Sequence, residues 1–257
     1  KAGLRLLDFE ALDGENVFET IKKLSPDLLI TIAYGGLIPQ KILDIPRCES
    51  INVHPSLLPL WRGASPIQSA ILNGDAKTGI SLIRMTSELD AGPIFAVAET
   101  SIDPEENALT LSNRLANMSA MLITNNIADI INKNTFPNEQ EHQKATYAPK
   151  LTKQDAIINW TRPASEILKK IKAFNPWPIA HSMLEQKNFR IWDAKLSKQI
   201  NDISKPGSII KTQSNEILVT AGDGMISLIS VQLEGRKKMP ALDFCKGFAC
   251  EGKTLGQ

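Results

Sequence analysis

Leu28-Leu29-Ile30-Thr31-Ile32 is the stretch that decides the fold. It is apolar on both faces that a strand would present, which marks a strand covered from both sides. Ser25-Pro26-Asp27 breaks the chain before it and Tyr34-Gly35-Gly36 turns it afterwards. Upstream, 14–24 has helical spacing, with Val17, Ile21 and Leu24 on one face. Arg5-Leu6-Leu7 adds a short apolar run before that. Downstream, Pro39 can open a short helix as far as Leu43, and 50–53 is a second strand. The pattern continues with a helix over 66–72, strands over 79–85 and 94–98, and a long amphipathic helix over 107–132 carrying Leu111, Leu115, Leu122 and Ile130. Such alternation predicts an α/β, Rossmann-like, doubly wound sheet, whose ligands bind beyond the carboxyl ends of strands.

Residues 135–151 are polar and aperiodic and read as a linker, giving domains over 1–134 and 152–257. Beyond it the pattern changes. One helix over 163–173 is followed by short strands over 189–194, 207–212, 217–221 and 225–233. Lys205-Pro206-Gly207, Asn215 and Gly222-Asp223-Gly224 supply the turns. Evenly spaced short strands predict a small barrel or sandwich, and a basic five-stranded barrel of OB type is a frequent nucleic-acid platform. Charge divides at the same place. Residues 1–151 hold 13 Lys+Arg against 18 Asp+Glu, whereas 152–257 hold 16 against 10. The second half therefore suits an anionic partner, although lysine-rich surfaces also serve solubility alone.

Three cysteines, Cys48, Cys245 and Cys250, do not pair up and form no CxxC. This predicts neither a disulfide scaffold nor a zinc site, and a reducing, cytoplasmic compartment. No apolar run approaches the roughly 20 residues that span a bilayer, so no membrane partner is expected. The absence of GxGxxG after a strand argues against a nicotinamide dehydrogenase. His142 and His181 have no acid or cysteine at metal spacing and read as incidental.

The chemistry gathers at the end of the second strand. Asn52-Val53-His54-Pro55-Ser56-Leu57-Leu58-Pro59 leaves it, and Leu89-Asp90-Ala91-Gly92 follows another strand. Acyl transfer to an amine needs a donor facing the developing oxyanion, a group that moves protons near neutrality, and a partner to orient that group. Asn52 supplies the amide donor, worth about 3–4 kcal/mol in acyl-transfer sites. His54, two residues on, points to the same side of an extended chain and is the proton carrier, or a second donor when charged. Asp90 can accept from the imidazole and favour its charged form. Each residue alone reads equally well as a turn cap or a loop side chain; the ordered set of three does not. Pro55 and Pro59 stiffen the loop, and Leu57 and Leu58 offer apolar surface to an aromatic ligand.

Asn52-x-His54-Pro55-Ser56-Leu57-Leu58-Pro59 with Leu89-Asp90-x-Gly92 resembles the folate-dependent formyltransferase superfamily. The resemblance implies that Asn52, His54 and Asp90 are catalytic, and that Ser56, Leu57, Leu58 and Pro59 contact tetrahydrofolate. It implies pterin-pocket walls around 33–38 and 84–89. Trp61-Arg62-Gly63-Ala64-Ser65-Pro66-Ile67, Ala145-Thr146-Tyr147-Ala148-Pro149-Lys150-Leu151, Phe174-Asn175-Pro176-Trp177-Pro178 and Gly222-Asp223-Gly224 are similar to the branch that formylates methionyl-tRNA. So is Gln232-x-Glu234-Gly235-Arg236-Lys237-Lys238-Met239. That branch implies 10-formyltetrahydrofolate as donor, no metal, a monomer, and an OB-like second domain holding methionyl initiator tRNA. Lys150, Lys153, Lys169, Lys170, Lys172, Arg236, Lys237 and Lys238 are its expected phosphate contacts. The family pattern also has an opening strand, helix, strand and basic loop before the segment that begins here, so activity of this chain by itself is expected to suffer. Two other readings are transfer to an amino-sugar nucleotide and non-catalytic RNA binding by the basic half.

Overall fold

The structure is a computed structural model that describes residues 3, 5–9, 11–198 and 205–256. It forms two compact units. The first comprises Lys1–Pro66, Thr78–Thr100 and Leu115–Ala148; the second comprises Ile67–Lys77, Ser101–Arg114 and Pro149–Gln257.

In the first unit α1 (Glu15–Leu24) buries Val17 and stops at Ser25, which turns left-handed at φ 46. Strands β1 (Leu28–Ile32) and β2 (Glu49–His54) pair in parallel, Ile32 opposite Val53, with α2 (Gln40–Leu43) between them in sequence. A two-residue strand, β3 (Arg62–Gly63), and α3 (Pro66–Asn73), which falls almost wholly in the second unit, precede β4 (Lys77–Arg84) in sequence. β4 runs antiparallel to β2, with Ile51 opposite Arg84 and His54 opposite Ser81. β5 (Ile94–Ser101) completes the order β1-β2-β4-β5. Backbone bonds from Arg84 N to Pro93 O and from Ile102 N to Ala76 O bracket β4 and β5 as an antiparallel pair. The Rossmann-like sheet is therefore mixed, and parallel only between β1 and β2. Residues 85–93 account for the β4–β5 pair, because a parallel crossover needs about a dozen residues or more. The long helix α4 (Ala108–Ile131) buries Leu111, Leu115 and Ile130 as its spacing predicted.

Two expectations for this half change. Strand β1 is not covered on both faces, since Thr31 alone is buried and Ile32 is exposed. Residues 135–151 are packed rather than loose. Asn138 bridges Ile94, and β6 (Tyr147–Ala148) pairs in parallel with β3. Most of its side chains are exposed, but Gln140 is buried and bonds backbone at Asp90 and Gly92, and Thr146 Oγ1 accepts from Trp61 N.

In the second unit α5 (Ala164–Ala173) buries Ile167 and Ile171. Its first N–H is capped at 2.7 Å by Asp223 of the Gly222-Asp223-Gly224 turn. Among the described residues six strands follow: β7 (His181–Leu184), β8 (Lys187–Leu196), β9 (Ile209–Lys211), β10 (Ile217–Thr220), β11 (Met225–Leu233) and β12 (Met239–Pro240). Then comes α6 (Ala241–Gly247). The sheet order is β7-β8-β11-β10-β9, all antiparallel, with β12 beside β11. An irregular register near Ser230 bends the two longest strands. The chain's last stretch joins the two sheet edges. Gly256 exchanges bonds of 2.7 and 3.0 Å with Met183 of β7, while Lys253 O and Leu255 N bond Ile209 N and Gly207 O, both at 2.8 Å. That closes the curled sheet in the OB-like manner expected. Inside it, Phe189 and Phe244 pack with ring centroids 5.2 Å apart, among Ile191, Ile226 and Val231.

β7 escaped the sequence reading because its hairpin turns on Glu185 and Gln186, at φ 49 and 64, where Asn or Gly is the usual signal. The cysteine expectation also needs correction, since Cys245 and Cys250 are disulfide-bonded and Cys48 is free. An odd count hides a pair only five residues apart at the end of a short helix. No helix among the described residues is long and apolar enough to cross a membrane.

Candidate active site

Asn52 and His54 lie on one face of β2 because strand side chains alternate. Asp90 arrives differently. β4 ends opposite Ile51, so the loop after it leaves at the entry end of β2 and must fold back. Gly92 lets it do so, since a Cβ there would strike the Arg84 carbonyl oxygen. Asp90 takes a left-handed conformation, φ 49, which Asp tolerates better than most residues.

The three side chains converge on the Asp90 carboxylate. Oδ1 accepts from Asn52 Nδ2 at 3.0 Å, and Oδ2 accepts from the Gly63 backbone N–H at 2.9 Å. His54 Nδ1 lies 3.5 Å from Oδ2. Gly63 has φ 117, and a Cβ on it would lie 2.6 Å from Ala148 O, so the N–H that holds Asp90 depends on glycine. The second amide hydrogen of Asn52 has no partner among the described residues and remains available to a carbonyl oxygen.

His54 is 3 % exposed. Its Nε2 is 2.9 Å from Trp61 O, which can only accept, so Nε2 carries the hydrogen. In the neutral ring, Nδ1 then faces Asp90 bare. Burial lowers the His54 pKa below 6.5; the Asp90 charge and the Trp61 carbonyl pull it upward by less. The ring is thus held neutral at pH 7, beside a carboxylate with which it can share one further proton.

The segment that read as a linker supports these loops. Thr146 Oγ1 accepts from Trp61 N at 2.9 Å, and Thr146 O accepts from Arg62 N at 2.9 Å. Gln140, 5 % exposed, donates to Asp90 O at 2.8 Å and Gly92 O at 2.7 Å, and its Oε1 accepts from Arg62. His142, read as incidental, places Nδ1 3.1 Å from Arg62 Nη2. Position in sequence gave no sign of Gln140; only the fold brings it 50 residues back to Asp90.

Ser56, Leu57, Leu58 and Pro59 build the loop that leaves β2. Ser56 is fully buried, and its hydroxyl donates to Leu60 O at 2.6 Å. Leu58 is buried, and its N–H donates to Ser81 Oγ at 3.1 Å. Leu57 and Pro59 are half-buried. Of the two further loops, 33–38 exposes Tyr34 and Leu37, and Thr31 Oγ1 lies 3.2 Å from Met85 Sδ at the start of the other. Among the described residues no three metal-ligating side chains gather.

The cations expected to meet phosphate divide into two groups. Lys169 Nζ reaches Asn73 O at 3.4 Å, Lys170 Nζ reaches Ile157 O at 2.9 Å, and Lys172 Nζ bonds Pro104 O, so the helix lysines are tied to backbone. Lys150, Lys153, Arg236 and Lys237 are exposed. Lys238 Nζ sits 4.6 Å from the Trp192 ring centre, and Trp192 donates to Gln232 Oε1 at 3.0 Å.

Residues 7–127 match the family model described as formyl transferase, and 150–249 match the formyl transferase C-terminal domain. The chain is 42% identical over 238 residues to a methionyl-tRNA formyltransferase of Pseudomonas putida, covering 91% of this chain and 76% of that protein. A methionyl-tRNA formyltransferase of Bacillus licheniformis is 36% identical over 258 residues, covering 100% of this chain and 81% of the relative. In fold, the chain is similar to HypX from Aquifex aeolicus solved with tetrahydrofolic acid, at TM-score 0.70 and 18% identity over 90% of this chain and 40% of that one. With both family models matched and such identity along nearly its whole length, the chain belongs to the formyl transferase family.

Proposed function

We propose that this protein transfers the formyl group of 10-formyltetrahydrofolate to the amino group of methionyl initiator tRNA, acting in the cytoplasm as a monomer. The observation that carries the reading is the meeting of Asn52 and His54 at the Asp90 carboxylate, 3.0 and 3.5 Å from its two oxygens. In our reading Asn52 turns its unused N–H to the formyl oxygen as the neutral amine attacks the formyl carbon. Asp90 takes the proton that the amine sheds and shares it with His54 Nδ1. That proton passes to the folate nitrogen as its bond to the formyl carbon breaks, so the pair ends as it began. The loop over Ser56, Leu57, Leu58 and Pro59 meets the folate through backbone and the half-exposed Leu57 and Pro59, because Ser56 and Leu58 are buried. The second unit holds the tRNA, with Arg236, Lys237 and Lys238 on its phosphates; the names of the curated relatives support this acceptor.

The test is transfer of labelled formyl from 10-formyltetrahydrofolate to methionyl-tRNA, with an amino-sugar nucleotide offered in parallel. Formyl-methionyl-tRNA as the product supports the reading. Product only on the sugar amine overturns the acceptor, and folate-independent RNA binding without product overturns the enzyme.

A further inference from the structure

Asp90 needs holding, and its own loop does little of it. Glu88 and Leu89 are exposed, and the one backbone bond that closes the turn, Ala91 N to Glu88 O, is long at 3.5 Å. Yet the residue adopts a φ of 49, which an L side chain adopts at some cost. The restraint comes from Gln140. Its Nε2 donates to Asp90 O at 2.8 Å and to Gly92 O at 2.7 Å, so one amide grips the peptide carbonyls on both sides of Ala91. Its Oε1 accepts from Arg62 Nε at 3.2 Å and Nη2 at 2.7 Å. Both donors and both acceptor positions of the amide are therefore spent. A flipped amide would set oxygen against two carbonyls and NH2 against a guanidinium, so the orientation is fixed.

Arg62 is only 4 % exposed, donates to Gln140 Oε1 and has Nη2 3.1 Å from His142 Nδ1. The next residue, Gly63, gives its N–H to Asp90 Oδ2. The pair Arg62-Gly63 thus fixes the acid twice, by backbone on the carboxylate and through Gln140 on the main chain. We propose that Arg62 and Gln140 are positioning residues, a guanidinium–amide clamp that sets where Asp90 stands against His54 and Asn52. This rests on the reading of Asp90 as part of the active site. Neither residue touches the reacting atoms; each acts through Asp90.

Gln140→Glu separates this role from a purely structural one. The new carboxylate keeps Arg62 paired and the volume unchanged, but it turns an oxygen toward the carbonyls of Asp90 and Gly92. The full-length enzyme is assayed for formyl transfer to methionyl-tRNA. Expected is a fall in kcat of roughly 10- to 100-fold, the size of a small misplacement of a reacting group, with KM for 10-formyltetrahydrofolate within about 3-fold of wild type. The acid limb of the kcat–pH profile shifts, because the distance from Asp90 to His54 changes. Arg62→Lys, which keeps one donor to Gln140, retains more activity than Arg62→Met.

A double-mutant cycle completes the test. In an Asp90→Asn background, Gln140→Glu should cost much less than it does in the wild type. Wild-type kcat and pH profile in Gln140→Glu overturn the clamp, as does an equal loss in both backgrounds. If Gln140→Glu does not fold, judged by its melting curve, Arg62→Lys against Arg62→Met decides: equal activity in the two overturns the proposal. Full activity in Asp90→Asn alone strikes down the reading of Asp90 instead, so the two failures stay distinct.

Discussion

Around Asp90 the polar groups turn inward and are spent on one another; at the tip of the second unit's sheet Arg236 and Lys237 stand in solvent. Asn52, Gly63, Gln140 and His54 all address one acid from within hydrogen-bond reach or close to it. Arg236 and Lys237 are exposed. The contrast separates two kinds of electrostatic work. Buried dipoles of fixed direction stabilise charge that appears during a reaction, since they need not reorganise when it does. Solvated cations attract a polyanion from a distance and give affinity that salt erodes. The second unit also shows that cationic composition overstates such a surface, because the three helix lysines are bonded to backbone oxygens.

Mutations that attack each side of the contrast should differ in kind. The largest effect belongs to His54→Ala and Asp90→Ala. Loss of the proton path should lower turnover by about 100- to 10,000-fold while folate binding, read by fluorescence titration, stays near wild type. Wild-type rates from either variant would remove the chemistry from this cluster. Asn52→Ala should cost somewhat less, about 100- to 1,000-fold in kcat, the penalty for one missing oxyanion donor.

The outward side should respond through KM. Changing Arg236, Lys237 and Lys238 together to Ala should raise KM for methionyl-tRNA and leave kcat close to wild type. It should also flatten the plot of log K against log salt by roughly 0.7 to 0.9 for each phosphate that the variant no longer neutralises. An unchanged salt slope would place the tRNA elsewhere.

The smallest effect is on stability. His54 has a lowered pKa in the fold, so below about pH 6.5 the unfolded chain binds a proton that the folded chain refuses. Stability is therefore full above that pH and falls as the solution is acidified toward the folded pKa, by at most about tenfold in the folding constant per pH unit. His54→Gln should flatten this part of a urea-midpoint curve against pH.

How much of this was legible in advance differs by element. The strand at 28–32 and the helix at 107–132 could be read from apolar runs and spacing, although the strand is not covered on both faces as its apolar run implied: Thr31 is buried, Leu28, Leu29 and Ile30 are half-buried and Ile32 is exposed. β7 left no such mark, since Glu185 and Gln186 turn its hairpin without Gly or Asn. The Cys245–Cys250 bond contradicted an argument from odd numbers. Of the site, Asn52 and His54 could be read because a strand's alternation puts both on one face. Gln140 could not, since nothing local distinguishes a glutamine that grips a distant loop from one in water.

By itself, then, the chain's sequence determined which residue types stand at the end of β2, and the alternation that builds an α/β sheet. Both are local, set by periodicity and turn chemistry over a few residues. Only the tertiary structure decided that β4 runs antiparallel to β2, that the loop after it doubles back to bring Asp90 to His54, and that residues 138–148 return to hold it there. Those outcomes depend on pairings between residues far apart in the chain, such as the bond from Gln140 to Asp90 across 50 positions. Such pairings are satisfied hydrogen bonds and excluded volume rather than apolar period, and they leave no repeat in the chain for periodicity to detect.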